Sequence, residues 1–492
     1  MTASRPVLLL LALAALVTVL LISRLRPPGS LPDSHGGGRW ASRRDRGRLG
    51  RSAPAARLHP DGLLLGFWGR RALQTPREDN LLLLGVQRSG KTSAVVVPSL
   101  LAWRGALIAT STKEELVSLT GRHRSRLGPV HIFAPLDDDL AWVQKLGLEV
   151  ATWNPVGEAS TAAVAAEIAD LFTAEGKAGY SAHWYLAAAS LISALLLFEQ
   201  SRGGDLRSVL ALLNRTQLKG YRGLAGRFPN SAAAELLIAF ANTPEKEAGS
   251  IASTARACLT LWMDERVERA TTATAPSMDL DRLLAAGGSL YLVAPTEEAE
   301  RCRPLFSALL QSLLRRATAR ARRQGGVLKP RLLLALDEVA NFARIPRLAA
   351  YVSTGPGQGL QFLLCFHDLA QLEHGYGEQG ARTIWNNCRA RLLLPGQGDL
   401  GTLERFSKAI GDTTRVYQSR GRSAGGDSQA EQRTGRPLAS PDALRRLETA
   451  VLLYASQPPA QLRPRRWDQV PAWRALVQAS GPPSAPARLA EE

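Results

Sequence analysis

A chain of 492 residues with 61 Lys and Arg against 43 Asp and Glu carries a formal net charge of +18, which favours an anionic partner, either nucleic acid or acidic lipid. Four scattered cysteines (Cys258, Cys302, Cys365 and Cys388) form no C-x-x-C pair, and seven histidines show no metal-ligand spacing. This argues against a disulfide framework or a zinc site and fits a reducing cytoplasm. The length allows two or three domains and a large core.

At the amino terminus, Val7 to Ile22 is an apolar run broken only by Thr18, with Arg5 before it and Arg24 and Arg26 after it. It reads as one membrane anchor. A signal peptide is the competing reading, against which no small-residue cleavage site follows. Arg39, Arg43, Arg44, Arg46, Arg48, Arg51 and Arg57 crowd the carboxyl side, so the positive-inside rule places the bulk of the chain in the cytoplasm. Residues 1–26 are therefore the anchor. Residues 27–60, rich in Gly, Ser, Pro and Arg, read as a basic disordered linker that lies on anionic lipid or is merely solvated.

From Asp61 the pattern turns globular. Leu63 to Leu65 and Ala72 to Leu73 suggest a short hairpin leading to the four leucines Leu81 to Leu84. The run LLLLGVQRSGKT then completes G-x-x-x-x-G-K-[ST] with Gly85, Gly90, Lys91 and Thr92, and Arg88 and Ser89 lie within the loop. A buried strand delivers the chain to a tight turn whose N–H groups face phosphate oxygens. The lysine supplies charge to the β/γ-phosphates and the threonine hydroxyl ligates Mg²⁺. The spacing predicts ATP and Mg²⁺ at this loop, followed by a helix from Ser93 to Leu101. Further strands fall at Ala106 to Ala109 and Val130 to Phe133, and strands alternating with helices predict a parallel sheet covered on both faces.

Between about 155 and 284 the strand signals vanish. Val164, Ile168, Leu171 and Phe172 recur at helical spacing, and Trp184 to Phe198 is apolar nearly all round. That segment reads as an all-helical domain inserted into the α/β one, its apolar helix buried rather than membrane-spanning. Arg202, Arg207, Arg215, Lys219, Arg222 and Arg227 cluster within it, as a nucleic-acid-facing surface or a solvated basic face.

The α/β pattern resumes with a strand at Ser289 to Val293 and a helix at Leu305 to Arg322. Arg331 to Glu338, RLLLALDE, is a continuous apolar strand ending in Asp337 and Glu338. Opposite a phosphate loop, such an aspartate holds Mg²⁺ and such a glutamate polarises the attacking water. Gln361 to Phe366 is another buried strand, and His367 at its end is either a γ-phosphate sensor or a hydrogen-bonded loop residue. Ala390 to Leu394 and Ala450 to Tyr454 are further strands. Arg415 to Arg436 reads as a mobile loop. The chain thus divides into an anchor (1–26), a linker (27–60), a first nucleotide-binding part (61–154), a helical insertion (155–284), a second nucleotide-binding part (285–475) and a disordered tail (476–492).

With these features in order, the chain resembles the type IV coupling proteins of the TraG/TraD-like group. The text that carries the likeness is GVQRSGKT, HWYLAAASLISALLLF, GGSLYLVAPTEE, LLALDEVANFARIPRL, DLAQLEHGYGEQGA and NNCRARLLLPG. The resemblance implies a RecA-like P-loop NTPase core with an inserted all-α domain and one N-terminal transmembrane helix. It also implies a membrane-anchored homo-hexamer that links a relaxase complex on single-stranded DNA to the components of a type IV secretion channel and drives DNA transfer by ATP hydrolysis. In that scheme Gly85, Arg88, Ser89, Gly90 and Lys91 cradle phosphates, Thr92 and Asp337 hold Mg²⁺, and Glu338 orients water; Arg389 and Arg391 are the candidates to reach a neighbouring subunit's nucleotide, or are structural or surface arginines. Two departures stand out: relatives usually carry glutamine in place of His367, and many have two membrane helices. Export of protein alone, a double-strand DNA pump, and a nucleotide-binding scaffold that does not hydrolyse are the competing readings.

Overall fold

The computed structural model describes residues 36–176, 182–338, 342–423 and 426–479, with side chains of 418–431 left aside. The expected membrane anchor and most of the expected tail lie outside the described residues. Among the described residues two compact units are present: one lies within 41–402 and 445–479, the other within 36–40 and 403–444.

In the larger unit, β1 (Arg51–Ala53), β2 (Leu64–Trp68) and β3 (Arg71–Gln74) make a small antiparallel sheet in the order β1-β3-β2. Part of the segment read as linker is thus built into the fold, because Leu49 is wholly buried there. The main sheet follows, with β4 (Leu81–Leu84), β5 (Ala106–Ser111), β6 (Val130–Phe133), β7 (Glu149–Val150), β8 (Ser289–Val293), β9 (Leu332–Leu336), β10 (Leu360–Phe366) and β11 (Ala390–Leu393). These eight pair in parallel. β14 (Ala450–Tyr454) and β15 (Ala460–Leu462) extend the sheet antiparallel beyond β11. The spatial order is β15-β14-β11-β4-β10-β9-β5-β8-β6-β7.

Every residue of β4, β5, β8, β9 and β10 is buried, as parallel strands with helices on both faces require. Leu81, Leu83, Leu363 and Cys365 pack with Leu100, Leu116, Val117 and Trp473 on one side. On the other, Phe306 of the long helix Thr296–Arg323 meets Phe133 and Phe342. One edge strand, β7, is two residues long and exposes Glu149. At the opposite edge the chain after β15 is bridged to the small sheet, with Phe67 and Arg463 exchanging backbone hydrogen bonds of 3.0 and 2.9 Å.

Between β7 and β8 the described chain is helical, from Pro155 to Ala285. Helix Ala182–Gln200 is long and apolar enough to cross a membrane, but 56% of its apolar window is buried inside the protein. It packs against helices Ala162–Phe172, Ala232–Ala241 and Glu245–Cys258.

The smaller unit corrects one expectation. Residues read as a mobile loop form a twelve-rung antiparallel ribbon of β12 (Asp412–Ser423) and β13 (Gly426–Pro437). Gly36 and Gly38 run beside its base, with Thr414 N donating to Gly36 O at 3.0 Å and Gly38 N to Asp412 O at 2.8 Å. Gly, Ser and Gln mask a strand because they carry little of the apolar alternation that announces one.

Candidate functional site

The strand order gathers the motifs. β10 lies between β4 and β9, with Phe366 beside Leu84 and Leu364 beside Leu336. The phosphate loop, His367 and the Asp337–Glu338 turn therefore leave three adjacent parallel strands at one carboxyl edge, where α/β sheets place ligands. They line one cleft of about 850 Å³ that runs from Val86 to Ala94, past Ser111 to Lys113, to Asp337, Glu338 and His367.

The loop's geometry explains its glycines. A Cβ on Gly85 would stand 2.5 Å from Ser89 Oγ and 3.0 Å from Leu394 Cβ. Gly90 takes φ +92°, which disfavours any residue with a side chain. Arg88 at φ +63° completes the tight turn. Lys91 begins a π-helical turn, Lys91–Val96, that passes into an α-helix at Val97–Ala102. Pro98 falls at that junction and has no N–H to continue α-type bonding back to Ala94. Nζ of the buried Lys91 donates to Gly85 O at 2.6 Å and Val86 O at 3.2 Å, and lies 3.5 Å from His367 Nδ1.

Thr92 Oγ1 donates to Asp337 Oδ2 at 2.5 Å, and Thr110 Oγ1 of β5 donates to Asp337 O at 2.7 Å. The other carboxylate oxygen, Oδ1, is buried with no hydrogen-bond partner. Burial raises the Asp337 pKa, opposed by the Thr92 hydroxyl and the Lys91 charge. An orphaned carboxylate oxygen beside a threonine hydroxyl is a set of hard oxygen donors, and these residues fit Mg²⁺. Burial and the charge of Asp337 also push the Cys365 thiol well above its usual range, so it stays a thiol.

Glu338 adopts φ +51°, a left-handed conformation that costs about 1–3 kcal/mol in a non-glycine residue. His367 Nε2 stands 4.0 Å from Glu338 Oε1. Burial, and then the Lys91 charge, lower the His367 pKa below 6.5, so the imidazole is neutral near pH 7. Its main chain is held from two sides: His367 N donates to Gln371 Oε1 at 2.8 Å, and Gln397 Nε2 donates to His367 O at 2.8 Å.

Gly85, Arg88, Ser89, Gly90, Lys91, Thr92, Asp337, Glu338 and His367 are thus brought together. Arg389 and Arg391 are not. They stand at or near the start of β11, whose Ala390 pairs with Leu81 at the far end of β4. Arg389 is held 3.4 Å from Asp79 and over the Tyr454 ring, and the Arg391 guanidinium lies over Trp385. Sequence reasoning missed Gln397, 2% exposed. It also missed the wall made by Pro464, Arg466 and Gln469 from the chain after β15. Arg466 is clamped by Asp468 at 3.0 and 2.8 Å. No motif or periodicity marks these residues; only the return of the chain across the sheet brings them here.

The family model for the type IV secretory system conjugative DNA transfer proteins matches residues 53–474. A conjugal transfer protein TraG of Escherichia coli is 28% identical over 465 residues, spanning 83% of this chain and 70% of that protein. A VirD4 protein of Rhizobium rhizogenes is 27% identical over 476 residues, spanning 91% and 68%. Among solved structures, the bacterial conjugative coupling protein TrwBdeltaN70 superposes with a TM-score of 0.65 at 20% identity, over 90% of this chain and 97% of that one. Plasmid coupling protein TrwB in complex with ADP and Mg²⁺ gives 0.64 at 18% identity, over 89% and 95%. At these identities the likeness concerns the fold.

Proposed function

The chain belongs to the type IV coupling proteins of conjugative DNA transfer, and on that premise we propose that it hydrolyses ATP to drive the transfer. The observation that carries this reading is the meeting of Lys91, Thr92, Asp337, Glu338 and His367 at one sheet edge. A related protein solved with ADP and Mg²⁺ supports the choice of ligand.

Lys91 and the backbone from Gly85 to Gly90 bind the phosphates. Thr92 and Asp337 hold Mg²⁺, which when bound neutralises charge on the transferred phosphoryl group. Glu338 accepts a hydrogen bond from the attacking water and aims it. Neutral His367 offers Nε2 near Glu338 and the water, taking the place that glutamine holds in relatives. Arg389, 60% exposed and braced by Asp79, is the better placed of the two arginines to meet a neighbouring subunit's nucleotide in a homo-hexamer. We propose further that residues 1–26 anchor the chain in the cell membrane with its bulk in the cytoplasm. A relaxase on single-stranded DNA and the secretion channel are its partners.

The test is ATP turnover by the full chain with and without single-stranded DNA, beside Lys91→Ala. Turnover that rises with DNA and vanishes in the variant supports the reading. DNA-indifferent turnover points to protein export, and absence of turnover to a nucleotide-binding scaffold.

A further inference from the structure

The β12–β13 ribbon is an element for which the nucleotide chemistry above has no use. In its antiparallel register Thr413 stands opposite Arg436, Arg415 opposite Thr434 and Tyr417 opposite Gln432. Directly opposed residues share a face, and every second pair returns to it. These six residues therefore make one face of the ribbon, and none is a carboxylate. The intervening pairs, Asp412 with Pro437, Thr414 with Gly435 and Val416 with Arg433, make the other face. A side-chain contact agrees with the division: the Arg436 guanidinium lies over the Tyr417 ring, 5.8 Å from its centroid.

Arg415, Tyr417, Gln432 and Arg436 are all exposed. Tyr417, 43% exposed, is the one exposed Phe, Tyr or Trp among the described residues. An aromatic ring held in water forgoes the burial that its size rewards, and here it does so between two arginines. Among the described residues no ion pair engages Arg415 or Arg436, whereas Arg433 on the opposite face has a partner.

We infer that this face of the ribbon binds single-stranded DNA, with Arg415 and Arg436 on phosphates and a base stacked on Tyr417. Single strands are held by cationic side chains that track the backbone and by aromatic rings on which bases stack, because every base has a π-face. Arg436 over Tyr417 already presents the two together. Gln432, Thr413 and Thr434 add amide and hydroxyl groups for sugars and base edges. A duplex keeps its bases stacked on one another and offers Tyr417 none. A lipid surface calls for apolar groups on the side of the arginines, but the exposed Val416 lies on the other face. Such a site rests on single-stranded DNA being a partner, as proposed above, and is independent of ATP hydrolysis.

The experiment is fluorescence anisotropy of the full chain in detergent, without ATP, with a labelled oligothymidylate at several salt concentrations. Tyr417→Ala should weaken binding about 5- to 150-fold, the range for loss of one stacked base, while Tyr417→Phe should bind like the parent. Arg415→Gln together with Arg436→Gln should lower the slope of log affinity against log salt by about 0.7 for each phosphate contact, about 1.4 in all. Val416→Ser, on the opposite face, should change neither. These positions are exposed, so the melting temperature should hold. A parent chain that binds no oligothymidylate would remove DNA as a partner and the site with it. Binding by the parent that survives unchanged in Tyr417→Ala and in the double arginine variant would overturn the site alone. Equal losses for duplex and single strand in Tyr417→Ala would overturn base stacking and with it the proposal. If the variants bind DNA like the parent but release labelled phosphatidylserine from mixed micelles, the face is a lipid contact and the proposal falls.

Discussion

Gly85→Ala tests the phosphate loop through sterics alone, since Gly85 is not among the positive-φ positions. The new Cβ would lie 2.5 Å from Ser89 Oγ and 3.0 Å from Leu394 Cβ. Ser89 can rotate away. Leu394, 1% exposed just after β11, cannot. Overpacking of this kind costs about 1–3 kcal/mol, which lowers the melting temperature by a few degrees in a unit of this size. The Gly85 carbonyl also holds Lys91 Nζ. If about 1.4 kcal/mol of the strain is relieved by moving the loop, ATP affinity falls about tenfold. Gly90 supplies the contrast: its Cβ would meet nothing nearer than 3.7 Å, but its φ is +92°. Gly90→Ala should therefore be hurt by backbone strain of about 1–2 kcal/mol, and Gly90→Asn less, because Asn tolerates the left-handed region. At position 85 serine should be worse than alanine. Melting curves and titration with a fluorescent ATP analogue read both series. Gly85→Ala melting and binding like the parent protein would refute the account of this loop.

Glu338→Gln should keep ATP binding and lose about 10²–10⁴-fold in turnover, the range for removal of a general base; a rate within threefold of the parent would remove Glu338 from the mechanism. For His367, whose pKa lies below 6.5, the neutral form is the native one. Its contribution to stability is present above pH 6.5 and is lost as pH falls through the lowered value. Turnover should be level above pH 6.5 and decline on the acid side, and His367→Gln should abolish that decline; a pH–rate profile measured from pH 5 to 8 decides. Arg389→Ala should spare nucleotide binding and cost about 10³-fold in turnover if it serves a neighbouring site. Mixed assemblies with Lys91→Ala should then recover part of the rate, and an unchanged rate in the single variant would make Arg389 a structural partner of Asp79.

Much of the main sheet is legible in the sequence because its strands are buried on both faces. Leu81–Leu84 and Leu332–Leu336 need no alternation to be recognised, and the glycine spacing after one and the acidic pair after the other point to one shared cleft, where the fold brings them. What escaped is what depends on tertiary return. Pro464, Arg466 and Gln469 come to the cleft only after β14 and β15 have crossed back. Gln397 holds the His367 carbonyl from a loop with no motif. The β12–β13 ribbon escaped for the opposite reason, since its order comes from main-chain pairing, to which Gly, Ser and Gln lend no pattern. Leu49 marks the same limit: one leucine among arginines reads as linker until its buried position is seen.

The two edges of the main sheet have a consequence for crowding. Open edges of apolar strands are templates on which another chain can add, and a chain working beside copies of itself would meet them constantly. Here one margin ends in a two-residue strand carrying exposed Glu149, and the other is sealed by the exchange between Phe67 and Arg463. Neighbouring copies are thereby denied the route of strand-to-strand fusion. In the proposed homo-hexamer, neighbours would then recognise one another through side chains and loops, the kind of contact that can be made, broken and remade.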